Sequence, residues 1–207
     1  MVVAQAVKDS KDSYDMATLD ISDTQVLVIE RETTLTAAFR GTETDSWRDV
    51  AADLKFLSTD FVGGGKVHRG FAEALMVVWP DLVKILMDSD KEIIFTGHSL
   101  GGALATLAGN LWNLSTTVTF GAPRVGDKKF WGLTRNVHRC RRKCDIVPLY
   151  PMLGRTWGRI SAGTYYHHDG EHITEPGWSF CHRLTTFRGQ KIGWRDHKIN
   201  SYVDDFG

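Results

Sequence analysis

Ser99 stands between two glycines in Gly97-His98-Ser99-Leu100-Gly101, directly after the apolar run "EIIFT" and before the small-residue stretch "GALATLAGNL". G-x-S-x-G between a strand and a helix is the pattern of a nucleophile held on a sharp turn, where side chains larger than hydrogen at the glycines would collide with the strand or the helix. Such a turn lifts the hydroxyl above the carboxyl end of the strand, at the positive end of the following helix. The amide of Leu100 then points at the same space and can donate to a developing oxyanion. These residue types at this spacing point to acyl transfer by a serine nucleophile.

A serine hydroxyl is a poor nucleophile at neutral pH and needs a histidine base oriented by an acid. On this kind of turn the chain order is serine, acid, histidine, so both partners are sought after Ser99. Asp145 follows a segment that reads as a strand and is trailed closely by Pro148; Asp127, Asp169 and Glu171 remain alternatives. The candidate bases are His138, His167, His168, His172, His182 and His197. Only His197 comes late enough to sit in a C-terminal loop returning across the sheet, and spacing alone leaves the choice open.

The elements that must position these groups are legible from periodicity. "QVLVIE" (25–30) and "LTAAF" (35–39), split by a polar turn, read as a strand pair. Phe71, Leu75, Val78, Leu82, Ile85 and Leu86 recur at helical spacing, with Pro80 as an interior kink or break. Strand "EIIFT", helix "GALATLAGNL" and strand "TTVTFGAP" then follow with short links. That order implies a parallel sheet covered by helices on both faces, hence an α/β fold. Arg139, Arg141, Arg142 and Lys143 make the next segment unusually basic, which reads as a solvated face or a strand near the sheet edge. From Gly154 to Phe187 the chain turns to glycine, tryptophan, tyrosine and histidine, as in short strands and loops, and after His197 one or two helical turns are expected.

Composition narrows the function classes. The chain has 207 residues, 42% hydrophobic, and no internal repeat or long linker, which fits one domain over residues 1–207. Its 25 basic and 25 acidic residues balance, so nothing global argues for nucleic acid. No run reaches the roughly 18 apolar residues needed to span a bilayer. The N-terminus lacks the basic start and continuous apolar region of a secretory signal, so a chain that is cytoplasmic as synthesised, or already processed, is expected, with a non-classical route or lysis as the alternatives for release. Cys140, Cys144 and Cys181 are odd in number and expected as free thiols; their spacing does not match a zinc site, and neither metal nor organic cofactor is expected.

"FRGT" (39–42), "VHRGF" (67–71), "FTGHSLGGALA" (95–105), "TFGAPRVG" (119–126), "DIVP" (145–148) and "DHKINSY" (196–202) together resemble the class 3 lipases, the fungal triacylglycerol lipase and feruloyl esterase group. The resemblance runs in order from about residue 14 to the C-terminus. It implies a compact α/β-hydrolase fold with a mostly parallel central sheet flanked by helices. It also implies Ser99 as nucleophile, Asp145 as acid, His197 as base, and Thr42 as the second oxyanion contributor beside Leu100. It favours a structural role for His167 and His168. It further places a lid in residues 43–61, where Trp47, Val50, Ala51 and Leu54 fall at helical spacing; the apolar face is modest, and an ordinary surface helix is an equal reading. Gly63, Gly64 and Gly65 are expected as a turn, or else as the hinge of that flap. The chain is short for the family, with little room for an N-terminal helix.

The expected function is hydrolysis of carboxylic esters through an acyl-enzyme, as a lipase on acylglycerols, with a lipid or small ester as substrate and transient contact with a lipid interface. A carboxylesterase on short soluble esters, a phospholipase A1 and a catalytically silent lipid-binding module are the alternatives. Trp47, His98, Val125, Val147, Leu149 and Ile199 are the candidate substrate-binding residues.

Overall fold

The computed structural model describes residues 2–41, 57–143, 145–150, 164–168, 173–174 and 194–207, with Leu149, Thr164, Tyr165, His167, His168, Ile173, Thr174, Trp194 and Arg195 described by their backbone alone. Among these residues eight strands form one sheet in the order β1-β2-β3-β6-β7-β8-β9-β10. They are β1 (Leu19–Ile21), β2 (Thr24–Glu30), β3 (Thr34–Phe39), β6 (Glu92–His98), β7 (Thr116–Phe120), β8 (Val137–Arg142), β9 (Thr164–His168) and β10 (Ile173–Thr174). The centre, β3 to β9, is parallel, and antiparallel strands close both sides. β4 (Ser58–Asp60) and β5 (Lys66–His68) pair as a separate hairpin. Its turn carries Gly64 and Gly65 at positive φ, so the three glycines form a turn.

Helix α2 (Arg69–Met87) buries one stripe, Phe71, Ala72, Leu75, Val78, Leu82 and Leu86, against the sheet. It runs unbroken through Pro80, which lies on the exposed side, where the carbonyl that loses its amide partner meets water. Helix α3 (Leu100–Leu111) follows β6 and is buried along almost its whole length, and the short α4 (Lys128–Leu133) adds Phe130 and Trp131 to the same core. Gly101, Gly102 and Gly109 let α3 lie close enough to β3 and β7 that a Cβ there would overlap Phe39, Ala122 or Thr117.

The opposite face of the sheet carries a second apolar cluster of Ala6, Val7, Val118, Phe120, Cys140, Tyr202 and Phe206. It is covered by α5 (Ile199–Phe206) and by α1 (Val2–Asp12), an N-terminal helix that the short chain length had argued against. Val3, Ala6, Val7 and Ser10 supply a stripe at helical spacing that docks on the sheet, and Arg31 grips the buried Asp9 through two hydrogen bonds of 2.6 and 2.9 Å.

The basic strand β8 is neither at the edge nor solvated: it lies between β7 and β9. Arg139 is buried over the Trp131 ring and donates to the Ala122 carbonyl, while buried Arg141 donates to the Asp145 carbonyl. Guanidinium groups suit this buried place because backbone carbonyls at the strand ends need donors that water does not reach.

Candidate active site

Ser99 is the residue between β6 and α3, with φ 57 and ψ −123, a strained conformation for a side chain larger than glycine. Its backbone is held by both neighbours, since its amide donates to the Phe120 carbonyl of β7 at 2.9 Å and its carbonyl accepts from the Ala103 amide of α3 at 3.2 Å. Leu100 is the first residue of α3, so its amide has no partner within the helix and stays available at the positive helix end.

Asp145 lies three residues beyond β8 and is fully buried. A buried carboxylate is costly unless its lone pairs are filled, and three donors fill them here. Oδ1 accepts from the Val147 amide at 2.9 Å; Oδ2 accepts from the Tyr202 hydroxyl at 2.6 Å and from His197 Nδ1 at 2.8 Å. The 3₁₀ turn Val147–Leu149, opened by Pro148, aims that amide back at the carboxylate. Because the carboxylate only accepts, His197 Nδ1 carries the proton, leaving the Nε2 lone pair facing Ser99 Oγ at 2.8 Å. The candidate nucleophile, base and acid are thus joined by two short hydrogen bonds, although 98 residues separate Ser99 from His197.

Tyr202 is held protonated by burial and then by the negative charge of Asp145, both of which raise its pKa well above the ordinary phenol value. It therefore donates to Asp145 and leaves its oxygen lone pair to accept from the Arg142 amide at 3.1 Å. Gly121, at φ +59, packs against the same pair, since a Cβ there would come within 2.8 Å of Asp145 Oδ2 and 3.0 Å of the His197 ring. Both residues fall inside segments quoted above for the resemblance, but no local pattern assigned them a role: each acts on a partner distant in the chain.

His98 occupies a different place from the substrate contact expected of it. It is fully buried, its Nδ1 meets the Tyr14 hydroxyl at 3.0 Å, and its ring centroid lies 4.5 Å from that of His197. Burial, and after it the neighbouring His197, lower its pKa well below the usual value, so it stays neutral. Val125 sits in the main core and Ile199 packs on the second cluster, between sheet and helices. Val147 is wholly buried beside Asp145. Thr42, Trp47 and the candidate lid up to residue 56 lie outside the described residues, as does the Leu149 side chain.

The other candidates are drawn elsewhere. Asp127 caps α4, accepting from the Phe130 amide at 2.8 Å. His138 stacks on Tyr166 with centroids 5.8 Å apart, and His167 and His168 lie on β9. Asp169, Glu171, His172 and His182 lie outside the described residues, together with Cys144 and Cys181; Cys140 is a buried free thiol. Among the described residues no group of His, Cys, Asp or Glu side chains is arranged to hold a metal ion, and no helix is long and apolar enough to cross a membrane.

The family model for lipase (class 3) matches residues 36–154, more than half of the chain. The lipase of Rhizomucor miehei is 34% identical over 183 residues, covering 78% of this chain and 49% of its own length. The chain therefore spans about half of that relative. Among solved structures, the lipase from Rhizopus microsporus var. chinensis superposes with a TM-score of 0.71 at 26% identity, over 95% of this chain and 82% of that one. A triacylglycerol lipase whose catalytic centre is described as a serine protease triad superposes with a TM-score of 0.63 at 30% identity, over 73% of this chain and 64% of that one. The strand-to-helix serine, the parallel sheet under it and the match over residues 36–154 lead to one conclusion: this chain belongs to the class 3 lipase family.

Proposed function

We propose that this chain is a serine ester hydrolase, a lipase that cleaves acylglycerols by way of an acyl-enzyme. The observation that carries the reading is the continuous relay from Ser99 Oγ to His197 Nε2, and from His197 Nδ1 to Asp145 Oδ2, each link 2.8 Å. His197 takes the Ser99 proton as the oxygen attacks the ester carbonyl, and Asp145 holds the imidazole in the required tautomer and balances its charge. The tetrahedral oxyanion accepts from the Leu100 amide, a donor worth about 3 kcal/mol of transition-state stabilisation in comparable sites. His197 then gives the proton to the departing alcohol. Water, deprotonated by the same imidazole, attacks the acyl-enzyme and frees the fatty acid and the serine. All protons and electrons are accounted for with protein groups and water.

Acylglycerols as the substrate class rest on the family and on the related triacylglycerol lipase, whose structure is similar to this one. Transient contact with a lipid surface goes with that substrate class, because long-chain acylglycerols are presented to an enzyme at an interface. The decisive experiment measures hydrolysis of a short p-nitrophenyl ester and of emulsified di- and triacylglycerols by the wild-type chain and by Ser99→Ala. The variant should lose at least about 10⁴-fold in kcat on both substrates. Equal turnover by the variant would remove Ser99 from the chemistry. Turnover of the soluble ester with none on the emulsion would make the chain a carboxylesterase.

A further inference from the structure

His197 is carried by the 3₁₀ turn Trp194–His197 and followed by α5, eight residues long. Pieces this short do not hold a conformation by themselves, so the base is only as well placed as its segment is docked. Tyr202 and Phe206 supply apolar docking. Arg142, the last residue of the strand that leads to the acid, supplies polar docking at three points. Arg142 Nη1 donates to Asp196 Oδ1 at 2.9 Å, one residue before the base. Its Nε lies 2.5 Å from Asp205 Oδ2, eight residues after the base, as a charge contact without hydrogen-bond alignment. Its backbone amide donates to the Tyr202 hydroxyl, the group that also donates to Asp145.

The side chains of Arg142, Asp196 and Asp205 retain 13%, 24% and 12% exposure, so these pairs are screened far less than ion pairs on an open surface. A planar guanidinium offers several donors in a fixed fork and can hold two carboxylates at once, which an ammonium point charge does not do in the same geometry. Arg142 makes no hydrogen bond to Ser99 or to the His197 ring, so any effect on turnover passes through the segment it grips.

We propose that Arg142 is the positioning residue of the base: by clamping Asp196 and Asp205 it sets where His197 stands relative to Ser99 and Asp145. The proposal rests on the ester-hydrolase reading above. A clamp of this kind acts on the reaction more than on substrate affinity, because an error of about 1 Å between base and nucleophile costs on the order of 100-fold in rate.

The test compares wild type, Arg142→Gln, Arg142→Lys and Asp196→Asn on a short soluble p-nitrophenyl ester, at a temperature where circular dichroism reports each variant folded. Arg142→Gln should lower kcat by about 10- to 100-fold with KM changed by less than about twofold. Arg142→Lys, able to satisfy one acid at a time, should recover part of that loss. Asp196→Asn, which leaves Asp205 and Tyr202 in place, should lower kcat by several-fold and serves as the deciding variant if Arg142→Gln does not fold. The rate of covalent labelling of Ser99 by a fluorophosphonate, which also requires the base, should fall in parallel with kcat. A folded Arg142→Gln or Asp196→Asn with wild-type kcat and labelling rate, whatever its melting temperature, would overturn the proposal and leave Arg142 a stabilising ion pair. Failure of the wild-type chain itself to hydrolyse or to label would instead strike the reading of the chain as an ester hydrolase.

Discussion

At Asp145 and His197 the proposed chemistry depends on neighbours with no reactive role. Gly121 is needed because its positive φ and the absence of a Cβ let the chain pass against the acid-base pair. Gly121→Ala should push that pair apart and lower kcat by about 100-fold, measured on a soluble ester at a temperature where the variant is folded. Tyr202 fills one of three acceptor contacts on a fully buried carboxylate. Tyr202→Phe leaves that lone pair dry and unpaired, so urea unfolding should show a loss of about 1.5 to 3 kcal/mol. Ser99 was legible because the strain of its turn is written into two neighbouring glycines. The base was open from spacing and came from the resemblance, because which of six histidines reaches a serine is set by a path through space. Tyr202 and Gly121 could not be assigned for the same reason.

Among the elements, β6, α3, β7 and the long α2 were readable because each has its own hydrophobic period, and their register carries Ser99 to the carboxyl end of a central strand. Two elements were misread. The basic residues of β8 looked solvated because charge is normally exposed, yet Arg139 and Arg141 are buried by bonding carbonyls that no pattern identifies as their partners. α1 was discounted on chain length although its four-residue stripe is present in "VVAQAVKDS". The helix does structural work: Val7 is fully buried between it and the sheet, and Val7→Ala should cost roughly 2 kcal/mol in urea unfolding. An unchanged unfolding midpoint would mean that α1 is not docked in solution.

For the molecule as a whole, stability should depend on pH through His98. Buried beside Tyr14, His197 and Tyr202, its ring is held neutral in the fold, with its pKa well below the ordinary 6.5. Below about pH 6.5 the unfolded chain therefore binds a proton at this position that the native chain does not, and stability falls as pH falls, by up to about 1.4 kcal/mol per unit from this group. His98→Gln should flatten the slope of unfolding free energy between about pH 6.5 and pH 5, measured by urea titration at each pH. An unchanged slope would show that His98 is not held neutral.

What the amino-acid order determined by itself was local: a serine elbow bounded by glycines, alternating strands and helices, and so a doubly covered parallel sheet with its reactive hydroxyl above the strand ends. Only the tertiary structure decided which distant groups meet there. A hydrogen bond between residues 99 and 197, a carboxylate with three donors, and an arginine gripping two acids on either side of the base follow from how strands pair and helices dock across the whole chain. Steric strain and hydrophobic period act over a few residues and leave their mark in the sequence. Long-range pairing does not, because many partners of the same chemical type are available and only the fold selects among them.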